Sequence, residues 1–568
     1  MRSKIYQIIV VLIFFTSCKN KPASFDTEEL IGVWSGLLFQ TETKHDSIVL
    51  KPVKSPQIAF LYKNGKSDTF KLEQKDNTVS FKGISGVRFD AAFSNNAQSL
   101  YGVITENLWS QSLLFLKSEN NWVAKIIKPE IIDTDYTVYL EFYRDSLGNL
   151  QAKIQSNKEN RKLHFSIKKV SVTGNNIDFK ITADRFALSA TYQSETKKLS
   201  IKYGNTNSKR KRELTKHGKN EWKGYTPRPV NKKYDYKIPQ PLDALIQTAS
   251  LKEVGLDPSL LGFMDSINNG AYEHIHSIII TKNKKLVFEE YFHGYNRDYL
   301  HDIKSSFKAL SSLLLGKAMM KDKSIHINNS IINYYPEYNI SDKEKKKITI
   351  HHALTMTTGL QLEDEDKMQW ENNDWVGYKL NLPMEYEPGE KFEYSSGGIN
   401  LLTGVLQQST KKYLPLFFYE EMLRPMRIHK FQMRVSPKGR PYLAGDFYLR
   451  PIDFTKFGLL MLNDGVWGNQ RIIASEWINT ATQAYTIKGR SNKDLNRGYL
   501  WKLGERNVSG KQMKTIEAWG NGGQFLIIIP EIEMTITFTG GNYNLAEMET
   551  PFEILNKYIL PAVALESN

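Results

Sequence analysis

Ser-x-x-Lys occurs five times in the chain, beginning at Ser166, Ser194, Ser208, Ser305 and Ser409. Only the tetrad at Ser305, within HDIKSSFKALSSLLLGKAM, opens a strongly apolar stretch with helical spacing. There the i,i+3 interval puts Lys308 on the face that carries Ser305, one turn along. A serine hydroxyl is a poor nucleophile without a base. A lysine in partly apolar surroundings gives up its proton more readily, because desolvation disfavours its charged form. The free amides and positive dipole of a helix N-terminus would stabilise first an alkoxide and then an oxyanion. Ser306 has alanine rather than lysine three residues on, so Ser305 is the candidate nucleophile. The competing reading is the polar start of an ordinary core helix.

Two further stretches carry the same chemistry. In EPGEKFEYSSGGINLLTGVL, Tyr394 lies just before a helix expected to start near Ile399. A tyrosine beside an ammonium has a lowered pKa and can relay protons to a leaving group. In AWGNGGQFLIII, three glycines stand between Trp519 and Gln524 at the entry to a strand. Glycine lets a substrate approach the backbone closely. An N–H there could face the amide of Ser305 as a second oxyanion donor. Each stretch alone also reads blandly, as a half-buried aromatic and as a strand-entry loop.

The order Ser-x-x-Lys, Tyr-x-Ser, glycine-rich strand is far more specific than any one of the three. From Ala244 to the C-terminus the chain resembles the beta-lactamase-related serine hydrolases. That family includes class C beta-lactamases, D-alanyl-D-alanine carboxypeptidases, esterases and nylon-oligomer hydrolases. The stretches EEYFHGYNRDYLHDIKSSFKALSSLLLGKAM, HHALTMTTGL, AGDFYLRPIDFTKFGLLMLNDGVW and GGQFLIIIPEIEMTITFTGG look like its standard blocks. The resemblance implies Ser305 as the acylated nucleophile, Lys308 as its base partner and Tyr394 as an aid to proton transfer. It places the oxyanion hole at the amides of Ser305 and of Asn521 or Gly522, beside Trp519 and Gly520. It implies neither a cofactor nor a metal.

Two departures bear on substrate. Ser396 stands where the second motif usually has an asparagine that contacts a substrate amide. Ala518-Trp519-Gly520 lacks the cation that often precedes the third motif's glycine and holds a substrate carboxylate. Both favour an esterase or amidase acting on a small-molecule or peptide-like substrate over a beta-lactamase or carboxypeptidase. A binding or sensor protein on the same fold is the non-enzymatic alternative.

The elements around these residues suggest an α+β protein. HIHSIIITKNKKLVFEEYFHGY reads as a strand, a turn at Asn283 and a second strand. GGQFLIIIPEIEMTITFTGG reads as a strand pair turning at Pro530, and ITIHHALTMTTGL as a helix stopped by Gly359. Strands at both ends of 244–568 would form one antiparallel sheet flanked by helices. Residues 28–217 read as antiparallel all-β, with alternation in DSIVLKPV and YTVYLEFY and two loosely similar units opening at GVWSGLLFQ and YTVYLEFYRDSLGNLQAKI. This region holds no catalytic constellation and is a candidate for binding a glycan or a protein. The Pro-, Lys- and Tyr-rich stretch 218–243 reads as a linker.

At the N-terminus, Arg2 and Lys4 precede the apolar run Ile8–Phe15, and FFTSC looks like a lipobox. Residues 1–18 are therefore expected to be a lipoprotein signal peptide, 19–27 a tether, and Cys18, the sole cysteine, the lipidated residue. The run is too short to span a membrane as a helix. Such a protein is expected in a bacterial cell envelope, facing the periplasm or on the outer-membrane surface. The net charge of +15 is spread thinly, and the KRKREL cluster at Lys209 reads as a solvated turn, so nucleic acid is not an expected partner. No HExxH or cysteine cluster points to a metal. His274 and His276 share a strand face, and His351 and His352 are adjacent. EDED from Glu363 reads as a solvated loop. Asp374 and Trp375 read equally as pocket lining or helix packing.

Overall fold

The computed structural model describes residues 25–565 apart from 41–46, 52–57, 64–65, 76, 83–86, 94–98, 107, 119–120, 126–134, 156–166, 182–185, 206–207, 219–233, 244, 270, 273, 294, 490–493 and 544–545. The signal-peptide and lipidation expectations at 1–18, Cys18 included, fall outside the described residues, as does most of the expected linker.

The alternation in the first third of the chain does form antiparallel sheets, but they divide differently from the two successive units read in the sequence. The chain separates into two compact units, 1–40 with 135–156 and 162–224, and 41–134 with 157–161 and 225–568. In the first, the opening strand Gly32–Gln40 is inserted between Asp135–Arg144 and Ser208–Lys216, completing an eight-stranded antiparallel sheet. Trp34, Leu140, Phe142, Tyr192, Leu199 and Leu214 are buried in this unit. Strand pairing between residues a hundred positions apart leaves no local mark in composition, so it was invisible to a scan for successive repeats.

The second unit joins the remaining N-terminal strands to the C-terminal region. The C-terminal strands of its two larger sheets, in chain order, are β1 (Ile275–Lys282), β2 (Lys285–Tyr291), β3 (His301–Asp302), β4 (Gln432–Arg434), β5 (Phe447–Leu449), β6 (Tyr485–Lys488), β7 (Asp494–Arg497), β8 (Lys502–Val508), β9 (Lys511–Gly520), β10 (Gln524–Ile529) and β11 (Met534–Gly540). The large sheet has the order β2-β1-β11-β10-β9-β8-β7-β6, so strands from both ends of 244–568 build it, as the apolar runs implied. Asn283 and Lys284 both have positive φ in the tight β1–β2 turn. The central strands β10 and β11 are buried along their whole length; β10 reads as a continuous apolar run, whereas β11 alternates apolar residues with Thr.

Helix α1 (Phe307–Lys321) is buried on nearly every side, which its apolar composition requires. Gly316 lets the Trp477 ring lie directly on it, since a Cβ there would come within 2.1 Å of the indole. The helix expected over ITIHHALTMTTGL is shorter than its spacing suggested. It covers Ile350–Leu354, then Met356 and Gly359 turn the chain with positive φ.

The small sheet behind α1 has the order β3-β5-β4 and continues directly into Trp109–Leu114, Leu100–Glu106 and Arg88–Phe93. Gln432, Met433 and Arg434 pair in register with Gln111, Ser110 and Trp109. Ala92, Tyr101 and Val103 belong to the same apolar core as α1. Contacts do divide the chain within 218–243, at 224/225, but residues 41–134 belong with the C-terminal unit rather than with the other N-terminal strands.

Candidate active site

Ser305 lies in a short 3-10 turn, Lys304–Ser306, that leads into α1. Its position is held from three sides. Lys304 takes positive φ, 49°, an uncommon conformation for a side-chain-bearing residue, while its amide donates to Asp302 Oδ1 at 2.9 Å. Ser306 is fully buried and donates to the carbonyl of Gln524 at 2.8 Å, pinning the turn to β10. Gly520 packs directly on the same turn, because a Cβ there would stand 2.4 Å from the Ile303 carbonyl oxygen. Ser306 is thus engaged by the backbone of β10, which leaves Ser305 as the candidate nucleophile.

Lys308, one turn along α1 and buried, donates from Nζ to Ser305 Oγ at 3.0 Å and to the Ala444 carbonyl at 2.7 Å. The same Nζ lies 4.8 Å from the centre of the Tyr394 ring. Tyr394 is 45 % exposed as a residue, yet its hydroxyl is turned to Ser305 and Lys308, within range of the Arg497 charge. Burial pushes the phenol's pKa up. The Lys308 ammonium, hydrogen bonds from Ser305 and Lys308, and the Arg497 guanidinium outweigh it and leave the pKa below the usual 10. The structure thus brings Ser305, Lys308 and Tyr394 together, as the motif order implied. A poised phenol beside a lysine-bonded serine can accept the serine's proton and pass it on.

Tyr394 precedes helix α2 (Ser396–Asn400), which begins three residues earlier than expected because Ser395 caps it, accepting from the Gly398 amide at 2.8 Å. Sequence reasoning missed what stands behind this cap. Glu363, read as part of a solvated acidic loop, is buried. One of its oxygens accepts from the Gly397 amide at 2.7 Å, the other from Ser395 Oγ at 2.7 Å and from Lys379 Nζ at 2.8 Å. Burial raises the Glu363 carboxyl, but the Lys379 ammonium and these hydrogen bonds outweigh it and hold the pKa below normal. An acidic run shows no sign of which carboxylate turns inward. The spacing of Glu363 from Lys379 also crosses a loop. Ser396 is buried at the first position of α2, beside Tyr442.

The glycine turn after β9 is anchored by Gln524. Its side chain brackets Gly540, donating to the carbonyl at 2.6 Å and accepting from the amide at 3.1 Å, and also donates to the Asn521 carbonyl at 3.2 Å. Gly522 has φ of 88° and its carbonyl accepts from the Asn542 amide at 3.2 Å. The turn Asn521–Gly523 is therefore fixed next to the strand end that packs on the Ser305 turn. Trp519 is half-buried, with its indole N–H donated to Glu517 at 2.7 Å.

Asp374 and Trp375 resolve as helix packing. Asp374 accepts from the Gly377 amide at 3.1 Å and from Lys438 at 2.7 Å, and Trp375 is buried against Tyr442. His276 Nδ1 and His301 Nε2 are 2.9 Å apart, with His293 packed on His276. Burial and neighbouring histidines hold His276 well below its ordinary pKa, and burial, with His274, takes His293 down to about 3. Among the described residues no group of three or more His, Cys, Asp or Glu is arranged to hold a metal. No helix among them is long and apolar enough to cross a membrane.

Comparison with known proteins gives this geometry a family. The beta-lactamase family model matches residues 273–550, a span that contains Ser305, Lys308, Tyr394 and the glycine turn. Residues 273–550 are a beta-lactamase family domain. The family is one of serine hydrolases, and the fold expected from the sequence is that of this domain. Protein flp of Staphylococcus aureus (strain MW2) is 26 % identical over 167 residues, which cover 27 % of this chain and 33 % of flp. The chain thus spans about a third of the length of the curated relatives it matches. A solved structure from Bacillus anthracis described as a 6-aminohexanoate-dimer hydrolase aligns over 55 % of this chain and 85 % of its own, with 16 % identity and a TM-score of 0.45. A family VIII carboxylesterase aligns over 53 % of this chain and 98 % of its own, with 14 % identity and a TM-score of 0.43.

Proposed function

We propose that the protein hydrolyses ester or amide bonds through an acyl-enzyme on Ser305. The observation that carries this reading is the 3.0 Å hydrogen bond from Lys308 Nζ to Ser305 Oγ, beside a tyrosine held below its normal pKa. Ser305 Oγ attacks the substrate carbonyl while its proton passes to the Lys308–Tyr394 pair. The tetrahedral oxyanion faces the Ser305 amide and an amide of the Asn521–Gly522 turn. Collapse breaks the bond to the leaving group, which takes the proton from the pair. Water then adds to the acyl-enzyme by the same route, releasing the acid and restoring the serine. Proton transfer by such a pair contributes roughly 10²- to 10⁴-fold, and the oxyanion donors a comparable factor. The test is covalent labelling with a fluorophosphonate. Ser305 is the expected site, and Ser305→Ala removes the label. A label that persists on another residue overturns the assignment.

We also propose an envelope location through a lipid on Cys18, supported by the basic start, the apolar run Ile8–Phe15 and the single cysteine. Metabolic labelling with a palmitate analogue is expected to mark the wild type and not Cys18→Ala. Equal labelling of both refutes the anchor.

A further inference from the structure

The hydrolytic steps leave one buried titratable cluster unused, the histidines around β1 and β3. His276 on β1 and His301 on β3 are both buried, and their rings are joined between Nδ1 and Nε2 at 2.9 Å. Tyr295 stacks on His276, with ring centres 4.3 Å apart and planes at 20°. His274 and His293, in the same cluster, take positive φ, 61° and 55°. Such backbone persists only where its surroundings hold it.

The hydrogen bonds of the pair run one way. His301 Nδ1 lies 3.2 Å from the Asp302 carbonyl, which can only accept, so Nδ1 carries the proton. In a neutral ring that leaves Nε2 as the acceptor, and His276 Nδ1 donates to it. His276 Nε2 then keeps its lone pair, and it has no hydrogen-bond partner among the described residues. Burial and the neighbouring histidines oppose its protonation.

Each ring is one packing step from a turn assigned to the oxyanion hole. His301 leads directly into the Ser305 turn, where Asp302 Oδ1 accepts from the Lys304 amide at 2.9 Å and the Ile303 carbonyl meets Gly520. His276 meets the other turn through Gly540 and Gly541. A Cβ on Gly541 would stand 2.8 Å from His276 Cε1 and 2.9 Å from Nε2, and one on Gly540 would stand 2.7 Å from the Gly522 carbonyl oxygen. The Asn542 amide donates to that same oxygen at 3.2 Å. The end of β11 is therefore pressed between the His276 ring and the Asn521–Gly523 turn.

We propose that His276 and His301 are positioning residues that set the distance between the Ser305 turn and the Asn521–Gly523 turn, and so the spacing of the two oxyanion donors. The pair acts through backbone rather than on the substrate. The inference rests on the hydrolase reading, since only acyl transfer gives that spacing a task.

The test uses the full-length chain and a fluorophosphonate, whose phosphoryl oxygen enters the same hole as Ser305 attacks. In His276→Asn the side-chain amide can stand where Nδ1 does and still donate to His301. In His276→Gln it stands where Nε2 does and loses His301. A donor displaced by about 1 Å can cost roughly 100-fold, so His276→Gln should lower the maximal labelling rate of Ser305 about tenfold or more and leave the half-saturating concentration within about twofold. Phenylboronic acid, whose tetrahedral adduct fills the hole, should weaken in proportion. His276→Asn should stay within about threefold of wild type, although it leaves the larger cavity. A role in packing alone gives the reverse order. Where His276→Gln does not fold, His301→Gln, which keeps an acceptor, is compared with the similarly sized His301→Met, which has none. A wild-type rate in His276→Gln, His276→Asn slower than His276→Gln, or equal rates in the two His301 variants overturns the pair and leaves the hydrolase reading standing. A wild type that takes no label at Ser305 overturns both.

Discussion

Replacing Glu363 tests whether the Tyr394 helix is held by the charge behind it. Glu363 and Lys379 have side chains only 2 % and 0 % exposed. Glu363→Ala strands the Lys379 ammonium with the Gln361 carbonyl, 2.7 Å away, as its remaining partner. It also leaves the Gly397 amide and the Ser395 hydroxyl without their acceptor. Breaking a buried pair from one side costs roughly 3–5 kcal/mol, a large part of a typical domain's 5–15 kcal/mol. Glu363→Gln keeps the shape and one acceptor oxygen, so a smaller loss, on the order of 2 kcal/mol, is expected. Glu363→Gln combined with Lys379→Met removes the stranded charge and should recover part of it. The assay is urea unfolding followed by intrinsic fluorescence, with ester turnover measured where each variant is still folded. Turnover should fall with the pair, because α2 carries Tyr394 at its entrance. The folded-state pKa of Glu363 is depressed, so its contribution is present above the carboxyl's ordinary value of 4.5 and lost as pH falls through the depressed one. A loss below about 1 kcal/mol for Glu363→Ala, or a double variant less stable than Glu363→Gln, would refute the argument.

Other outcomes follow from the same structure. Arg497→Gln removes a cation that lowers the Tyr394 phenol, so the acid limb of kcat/KM for an uncharged ester should move to higher pH, and an unmoved limb would detach Tyr394 from the proton path. His276 and His293 are held neutral in the fold, so below the unfolded pKa near 6.5 the unfolded chain binds more protons. Each then adds a slope of up to about 1.4 kcal/mol per pH unit towards acid unfolding. His293→Asn, which tolerates the positive φ there, should flatten the stability–pH curve between pH 6 and pH 4, and an unchanged slope would exclude its part. A chain starting at Gln240 loses Ala92, Tyr101 and Val103 from the core and the strand that covers β4, and is expected to be insoluble or inactive on small esters. Full activity of that fragment would show the shared sheet to be dispensable.

The candidate reacting residues were legible because they are tied to local signals. A tetrad at a helix entrance, a tyrosine before a capped helix and a glycine turn each lie within a few positions. Their neighbours were not legible, because long-range pairing sets them. Lys502 reaches the Trp519 face through strand register rather than sequence proximity. Glu363 resembled the other acids of its run until its burial against Lys379 was seen. The compositional break at 218–243 does hold the boundary at 224/225, because proline and lysine mark linkers, but it gave no sign that 41–134 pair with strands beyond it. Strand pairing across it depends on backbone hydrogen bonds, which composition does not encode.

The strand Trp109–Leu114 has a temporal consequence. Ser112 donates to the carbonyl of His429, a residue 317 positions later. At translation rates of about 5–20 residues per second, this strand waits roughly 15–60 s for its partner β4. During that interval its backbone donors and acceptors lie on an open sheet edge, the kind that recruits other strands. Closing so long a loop is also an entropically slow step. The N-terminal meander is therefore the part of this chain most exposed to mispairing before folding completes. Folding yield should depend more on how that edge is shielded than on the stability of the finished hydrolase domain.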